Sequence, residues 1–236
     1  MSFASAMAHF YDRLNDGADY TSERALIASH LPEGTRTGLD LGCGTGDLAI
    51  LLSGEYQMTA VDLSEEMLSA ADAKAFAARR SVRFVHQDIT ALSLGVRFDF
   101  ALCLHDTLNY VLKTEALSEV FCRTAEHLND EGVFIFDLSK KERFENEYGN
   151  SAEVLERDGL FCTWEKAYHK ERAFCDFVFH FFEENGDGTY TRSVEYERQR
   201  LYAPKTVEKL CTNAGFGVER IAETDTHYIY KAIKRG

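Results

Sequence analysis

The sequence contains no C-x-x-C pair and no long apolar run, and each absence excludes a class of protein. Its six cysteines are scattered, which argues against a disulfide framework or a zinc knuckle and favours a reducing compartment. No apolar segment approaches the roughly 18 residues of a membrane span, and the N-terminus lacks the basic start of a signal peptide. We therefore expect a cytoplasmic protein with no metal and no membrane partner.

Basic residues are also scarce. The 236 residues include 26 Lys and Arg against 39 Asp and Glu, which gives a formal net charge of -13. An acidic surface repels phosphate backbones, so this balance disfavours nucleic acid as a partner. The length allows one large domain, or a domain with a substantial insertion.

A short apolar strand, a glycine loop and a helix form the most informative pattern in the chain. The strand pattern covers 37–41, the loop contains Gly42, Gly44 and Gly46, and an apolar helical pattern begins at Asp47. Glycine permits a positive φ and lets a ligand approach the backbone. The first N–H groups of a helix lack intrahelical partners and attract polar or anionic groups. The pattern therefore predicts a cofactor pocket, with Asp47 capping its own helix.

Strand patterns alternate with helical patterns through the first 140 residues. Further strands are expected at 57–61, 82–86, 98–104 and 133–138, and Ser64 is expected to cap the helix that follows the second strand. This alternation predicts an α/β fold with a doubly wound, mostly parallel sheet. Ligands bind beyond the carboxyl ends of such strands. Those ends carry Asp40, Asp62, Asp88 and the pair His105-Asp106.

The pattern changes after residue 140. Segments at 160–168, 174–182 and 190–201 alternate or run aromatic, as antiparallel strands do. We expect a β-rich insertion at 146–202 that forms an acceptor or dimer element, in a monomer or homodimer. The cofactor domain then comprises 1–145 and 203–236, with an N-terminal lid over 1–30.

The glycine loop does not match either of two phosphate-binding motifs. The dinucleotide fingerprint needs glycine at its first, third and sixth positions, and here the sixth is Asp47, an anion beside the expected pyrophosphate. A P-loop needs Gly-Lys-Ser/Thr after the loop, and none follows. These misfits disfavour a nicotinamide or flavin enzyme and a P-loop nucleotidase.

The chain resembles the class I S-adenosylmethionine-dependent methyltransferases. The resemblance rests on 39–46, on Val61-Asp62-Leu63-Ser64-x-x-Met67-Leu68 and on Gln87-Asp88-Ile89. It covers about residues 35–140, with a weaker match over 205–235. It implies a seven-stranded Rossmann-like methyltransferase sheet, with S-adenosylmethionine as the cofactor.

The resemblance also implies roles for the strand-end residues. Asp62 would accept both ribose hydroxyls and Asp88 the adenine amino group, while Leu63 and Ile89 would sandwich the ring. Asp40 would orient the loop and the amino end of the cofactor. The remaining cofactor residues implied in this way are Gly42, Cys43, Gly44, Gly46, Met67 and Leu104.

The segment after the fourth strand resembles the D-S-L-N-Y stretch of a bacterial subgroup of small-molecule methyltransferases. Here the stretch is Asp106-Thr107-Leu108-Asn109-Tyr110. His105 is expected to contact the cofactor and to accept a proton from the substrate, or only to line the pocket. Asp106, Asn109 and Tyr110 are expected to face the substrate.

Two N-terminal tyrosines resemble the lid of the same subgroup. Tyr11 and Tyr20 would close on the sulfonium by cation–π contact and exclude water, with Tyr11 counted among the catalytic residues. The alternative is that both rings only pack the N-terminal helix on the sheet.

The predicted function is therefore in-line methyl transfer from S-adenosylmethionine to a nitrogen or oxygen of a small molecule. One alternative is a tRNA-modifying methyltransferase, against which the acidic charge counts. Another is a non-catalytic subunit that binds the cofactor without turnover.

Overall fold

The computed structural model describes residues 5–14, 20–157 and 159–235. Parts of the predicted lid, residues 1–4 and 15–19, lie outside these ranges. The helices are α1 (Ser5–Leu14), α2 (Thr21–His30), α3 (Asp47–Leu52), α4 (Glu65–Ala77), α5 (Thr114–Glu126) and α6 (Pro204–Asn213). The strands are β1 (Thr37–Leu41), β2 (Gln57–Asp62), β3 (Val82–His86), β4 (Phe98–Cys103), β5 (Leu128–Ser139), β6 (Asn150–Arg157), β7 (Leu160–His169), β8 (Phe174–Glu184), β9 (Tyr190–Arg200), β10 (Phe216–Glu223) and β11 (His227–Lys234).

The main sheet has seven strands in the order β10-β11-β5-β4-β1-β2-β3. Strands β1 to β5 pair in parallel, whereas β11 pairs antiparallel with both β5 and β10. The chain order therefore reverses beside β1, which places the topological switch point at its glycine loop. The predicted doubly wound, mostly parallel α/β fold is confirmed.

The central strands are buried on both faces. In β4, Phe100 and Leu102 join one apolar cluster, while Ala101 and Cys103 join the other. Successive side chains of a strand point to opposite faces, so a continuous apolar run fits a sheet that is covered on both sides. This core holds the carboxyl ends of β1, β2 and β4 in a fixed arrangement.

A second, antiparallel sheet of β6-β7-β8-β9 lies between β5 and α6 in the chain. The sequence predicts three of its strands but misses β6, whose residues are almost all exposed and lack alternation. The predicted strand at 133–138 is also too short, because β5 extends from Leu128 to Ser139.

Helix α1 bridges the two sheets. The Phe10 ring stacks on Phe181 of β8, with centroids 4.9 Å apart, and the Met7 N–H donates to Glu195 Oε1 of β9 at 2.7 Å. On the other side, the Thr45 hydroxyl of the glycine loop donates to Asp12 Oδ1 at 2.5 Å. Helix α1 therefore contacts the second sheet through Met7 and Phe10, and the glycine loop of the main sheet through Asp12.

Among the described residues, no helix has both the length and the apolar character needed to cross a membrane.

Candidate functional site

The glycine loop folds back over the carboxyl end of β2. The N–H groups of Gly42 and Cys43 both donate to the carbonyl of Val61, at 2.7 and 3.0 Å. Gly42, Gly44 and Gly46 all have positive φ, between 54° and 80°. Residues that carry a side chain rarely adopt a positive φ, which explains why glycine occupies all three positions.

The three glycines differ in what surrounds them. A Cβ at Gly42 would lie 2.3 Å from Thr107 Cγ2, and one at Gly46 would lie 2.9 Å from Ala71 Cβ. A Cβ at Gly44 would meet no atom within 4 Å. Gly42 and Gly46 therefore serve close packing, whereas Gly44 leaves open space in front of the loop.

Asp62 ends β2 and holds the loop. Its Oδ2 accepts the Gly44 N–H at 2.8 Å, and its Oδ1 accepts the Ser64 N–H at 2.9 Å. Burial raises the pKa of this carboxyl, although the bonds from Ser64 and Gly44 oppose that effect. A carboxylate has about four lone-pair sites, so Asp62 keeps acceptor capacity for two hydroxyls.

Asp40 is a buried carboxyl at the end of β1, with an exposed fraction of 4%. Burial raises its pKa to about 7; His105 lowers it, while Asp62 and Glu23 raise it further. No hydrogen bond to its side chain comes from the described part of the chain. A buried carboxyl of this kind is stabilised in its charged form by a cation.

The other predicted cofactor residues surround these carboxylates. Leu63 is 39% exposed, and Met67 and Leu104 are buried. Asp88 Oδ1 accepts the Thr90 N–H at 2.8 Å and caps the 3-10 turn that begins at Ile89. Ser64 caps α4 as predicted, since its side chain accepts from the Met67 N–H.

This donor set fits S-adenosylmethionine. The cofactor combines a sulfonium cation and an amino group with a ribose and an adenine, and it has no phosphate. Asp40 and Asp62 are carboxylates without a neighbouring lysine or arginine partner in the described residues, and the space at Gly44 admits an approaching ligand. The described residues contain no group of three or more potential metal ligands.

His105 has a positive φ of 59° and lies directly after β4. Its Nε2 is 3.0 Å from Glu23 of α2, and its ring meets Tyr20 edge-on at 5.5 Å. Burial lowers the pKa of His105, but the bond and charge of Glu23 outweigh this and raise it to about 9. The imidazole is therefore protonated at neutral pH, which counts against the expectation that it accepts a proton.

Asp106 is the centre of a buried polar cluster. It accepts from Arg143 Nη1 at 2.6 Å and from the Ser139 hydroxyl, and it lies 2.8 Å from His227 Nε2. Burial would raise its pKa, but His227, Arg143 and Ser139 hold the pKa well below its usual range. All these partners belong to the protein, and they give Asp106 a structural role.

Asn109, predicted to face the substrate, holds two parts of the protein together. Its side chain is fully buried; Nδ2 donates to the Arg200 carbonyl at 2.8 Å and Oδ1 accepts from Ser139 N–H at 3.4 Å. Both polar ends of this side chain are therefore bonded to the protein. Tyr110 remains half-buried, and its hydroxyl donates to Glu197 Oε2 of β9 at 2.8 Å.

The lid tyrosines lie on the same side of the glycine loop. Burial raises the pKa of Tyr11, and the charges of Tyr20, Asp106, Asp47 and Glu197 raise it further. Burial likewise raises the pKa of Tyr20 to about 12. Both phenol groups therefore stay neutral at physiological pH, and each can donate a hydrogen bond or provide an aromatic surface.

Asp47 does not cap its helix, which corrects the prediction. The N-cap is Gly46, without a side-chain bond, and Asp47 Oδ1 instead accepts from Lys74 Nζ at 2.7 Å. The same ammonium contacts Asp12 at 2.9 Å. Asp47 thus helps to dock α1 beside the loop.

Four important residues escaped the sequence analysis: Glu23, Asp137, Arg143 and Glu197. Asp137 near the end of β5 accepts from the His105 and Asp106 N–H groups at 2.6 and 3.2 Å. Its position near a strand end is a signal that the rule used for Asp40 and Asp62 could have found. The other three act through partners distant in sequence, and no local pattern marks them.

A family model, related sequences and a solved structure that are similar to this chain all point to methyltransferases. A family model described as a methyltransferase domain matches residues 39–132. A putative methyltransferase of Geobacillus sp. (strain WCH70) is 31% identical over 221 residues, covering 92% of this chain and 90% of that protein.

Two further relatives span nearly the whole chain. A dTDP-3-amino-3,6-dideoxy-alpha-D-glucopyranose N,N-dimethyltransferase of Streptomyces fradiae is 27% identical, covering 92% of this chain and 86% of that protein. A solved S-adenosylmethionine-dependent methyltransferase from Clostridium acetobutylicum superposes with a TM-score of 0.83 at 28% identity, covering 98% of each chain.

Gly44→Ala is predicted to weaken cofactor binding at least about tenfold, equivalent to about 1.4 kcal/mol, because the new Cβ fills the open space in front of the loop. Calorimetric titration with S-adenosylhomocysteine measures the change. The matched control is Gly34→Ala, since Gly34 also has a positive φ and open surroundings but lies in a turn before β1. Both variants should lose about 1–2 kcal/mol of unfolding free energy to backbone strain. Equal cofactor affinity in the two variants would refute the role of Gly44.

Asp106→Asn is predicted to lower the free energy of unfolding by about 3–5 kcal/mol, because it removes the buried carboxylate that pairs with Arg143 and leaves only the half-exposed carboxylate of Glu147 beside it. Denaturant titration of the apo-protein is the measurement. Glu147→Gln is the control: Glu147 contacts the same Arg143 at 3.1 Å but is 49% exposed, so its loss should cost less than about 1 kcal/mol. Similar costs for both substitutions would contradict the assignment of Asp106 as a structural centre.

Proposed function

The chain belongs to the class I S-adenosylmethionine-dependent methyltransferases, and we propose that it methylates a nitrogen or oxygen of a small molecule. The buried carboxylates Asp40 and Asp62 beside the open space at Gly44 carry the cofactor part of this assignment. The acceptor side lies between the glycine loop, α1 and the second sheet.

When bound, the cofactor supplies a methyl group that is already activated on a sulfonium. The task of the chain is therefore to position two reactants and to exclude water, which contributes up to about 7–11 kcal/mol in well-oriented systems. We assign Asp62 to the ribose, Asp40 to the cationic end, Asp88 to the adenine amino group, and Leu63 and Ile89 to the ring faces. Tyr11 and Tyr20 close the site from the N-terminal side.

His105 is assigned to positioning and not to proton transfer. Its ion pair with Glu23 at 3.0 Å and its raised pKa of about 9 keep the ring protonated. In that state it donates hydrogen bonds and holds α2 against the carboxyl end of β4. The reaction does not require a dedicated base, because the donor is activated and the nucleophile can lose its proton to solvent.

A small-molecule acceptor is supported by charge and by the relatives. A net charge of -13 counts against a tRNA substrate. The Streptomyces fradiae relative is named for N,N-dimethylation of an amino sugar nucleotide, and that name favours nitrogen as the methylated atom here. The second sheet and α1 would cover the acceptor.

All six cysteines are free thiols, which supports the proposal that the protein acts in the reducing cytoplasm.

Cofactor binding is testable without knowing the acceptor. S-adenosylmethionine or S-adenosylhomocysteine at about 100 times its dissociation constant should stabilise the protein by about 2.7 kcal/mol and raise Tm by about 5–10 °C, whereas NAD should not. Asp62→Ala should abolish this shift, because the ribose hydroxyls lose their acceptor. Asp72→Ala, at an exposed position of α4, is the control and should retain it. An undiminished shift in Asp62→Ala would show that the ribose binds elsewhere.

Cofactor affinity should also depend on pH through Asp40. Its pKa is raised to about 7, so the carboxyl loses its charge as the pH falls through that value, and the attraction for the cationic cofactor weakens. We expect affinity for S-adenosylmethionine to fall between about pH 8 and about pH 6 in the wild type. In Asp40→Asn this component should vanish. The titration of the cofactor's own amino group is common to both proteins, so parallel profiles would exclude Asp40 as the responsible group.

A further inference from the structure

One face of the second sheet combines aromatic side chains with buried acids. Glu195 and Glu197 of β9 lie opposite Phe179 and Phe177 of β8 in the antiparallel register, and directly opposed residues share a face. This face packs against α1 and against the segment Arg143–Tyr148, and both phenylalanines are buried. Carboxylates on such a face are costly unless they have partners.

The two acids differ in their partners. Glu195 accepts the Met7 N–H of α1 at 2.7 Å. Glu197 accepts the Tyr110 hydroxyl on Oε2, but its Oε1 is buried and has no hydrogen-bond partner among the described residues. Burial raises the pKa of Glu197 to about 7, with the Tyr110 bond opposing and the Glu195 charge adding to the shift. An unsatisfied buried acceptor is destabilising, and a bound donor would remove that cost.

The position of Glu197 connects it to the cofactor edge. Its partner Tyr110 closes the 3-10 turn Thr107–Tyr110, which follows the carboxyl end of β4. The Tyr110 bond to Glu197 at 2.8 Å therefore joins the second sheet to the edge of the main sheet at which the strands end and the glycine loop lies.

The same face holds a second unsatisfied group. The indole Nε1 of Trp164 is buried without a hydrogen-bond partner among the described residues, and Trp164 lies opposite Phe179 in the strand register. The ring stacks on Phe179 with centroids 5.5 Å apart. This face thus carries an unpaired acceptor and an unpaired donor, both of which a bound polar molecule would satisfy.

We propose that Glu197, oriented by Tyr110, binds the amino group of the acceptor, so that the substrate class of the enzyme is a small amine. The proposal rests on the proposed function and specifies its substrate. An ammonium that binds Oε1 loses one proton to solvent before the transfer; the neutral amine keeps an N–H bond to Oε1, and its lone pair accepts the methyl group. A bond to an ionised carboxylate is about twice as strong as a neutral one. A hydroxyl acceptor would leave the charge of Glu197 uncompensated. Glu197 acts as a positioning residue in this role.

The test compares two probes of equal shape, cyclohexylammonium and cyclohexanol, on protein saturated with S-adenosylhomocysteine. Ligand-observed NMR titration measures each dissociation constant. Wild-type protein should bind the amine at least about tenfold more tightly than the alcohol, as expected for a desolvated charge-assisted bond. Glu197→Gln should remove this preference, and Tyr110→Phe should reduce it, while affinity for cyclohexanol stays unchanged.

Glu165→Gln is the matched control. Glu165 lies on β7 opposite Val178, on the other face of the same sheet, and its side chain is 56% exposed. This variant should keep the amine preference. The Tm shift with S-adenosylhomocysteine confirms that each variant is folded and binds cofactor.

The outcomes distinguish the role of Glu197 from the assignment of the chain as a methyltransferase. Absence of amine binding by wild type, equal binding of both probes, or a preference that persists in Glu197→Gln would overturn the role of Glu197 and leave the methyltransferase assignment in place. Absence of the Tm shift in wild-type protein would instead contradict cofactor binding itself.

Discussion

The arrangement of the site depends on the carboxylate of Asp62. One of its oxygens holds the Gly44 N–H of the loop after β1, and the other holds the Ser64 N–H at the start of α4. Two neighbouring strand ends are thereby joined by one side chain. Because the loop also donates two N–H groups to the Val61 carbonyl, its backbone is fixed before any ligand arrives. A preorganised loop loses little conformational entropy on binding, which favours affinity for a flexible cofactor.

A second constraint is the concentration of negative charge at this edge of the sheet. Asp40, Asp62 and Asp137 are all buried there, and burial raises the pKa of each. The protein offsets part of this repulsion with the protonated His105, which is held by Glu23. A cationic ligand would relieve the remainder. Because the buried carboxylates repel one another, the site favours a ligand with positive charge. The same negative charge disfavours a pyrophosphate in the loop and favours a sulfonium.

Local signals predicted the cofactor half of the site, because its residues act within a few positions of one another. Gly42 to Gly46 and the Ser64 cap follow from turn and cap chemistry in the sequence. The acceptor half depends on long-range pairs. Asn109 looked like a substrate ligand, yet its amide binds the carbonyl of Arg200, 91 residues away. Strand β6 was not predicted, because an exposed edge strand needs no apolar alternation. The role of Asp47 was predicted wrongly, because its partner Lys74 lies on another helix.

The division between the two sheets explains how one cofactor site can be combined with a different acceptor site. The parallel sheet supplies Asp40, Asp62 and the glycine loop, and its packing leaves little freedom for change. In the antiparallel sheet, Glu197 accepts the Tyr110 hydroxyl, and the aromatic face packs against α1. Helix α1, the turn after β4 and the segment Arg143–Tyr148 are among the elements that connect that face to the main sheet. Under the proposed function, acceptor specificity would depend on the second sheet, where the sequence patterns are weakest, and cofactor binding on the first sheet, where they are strongest.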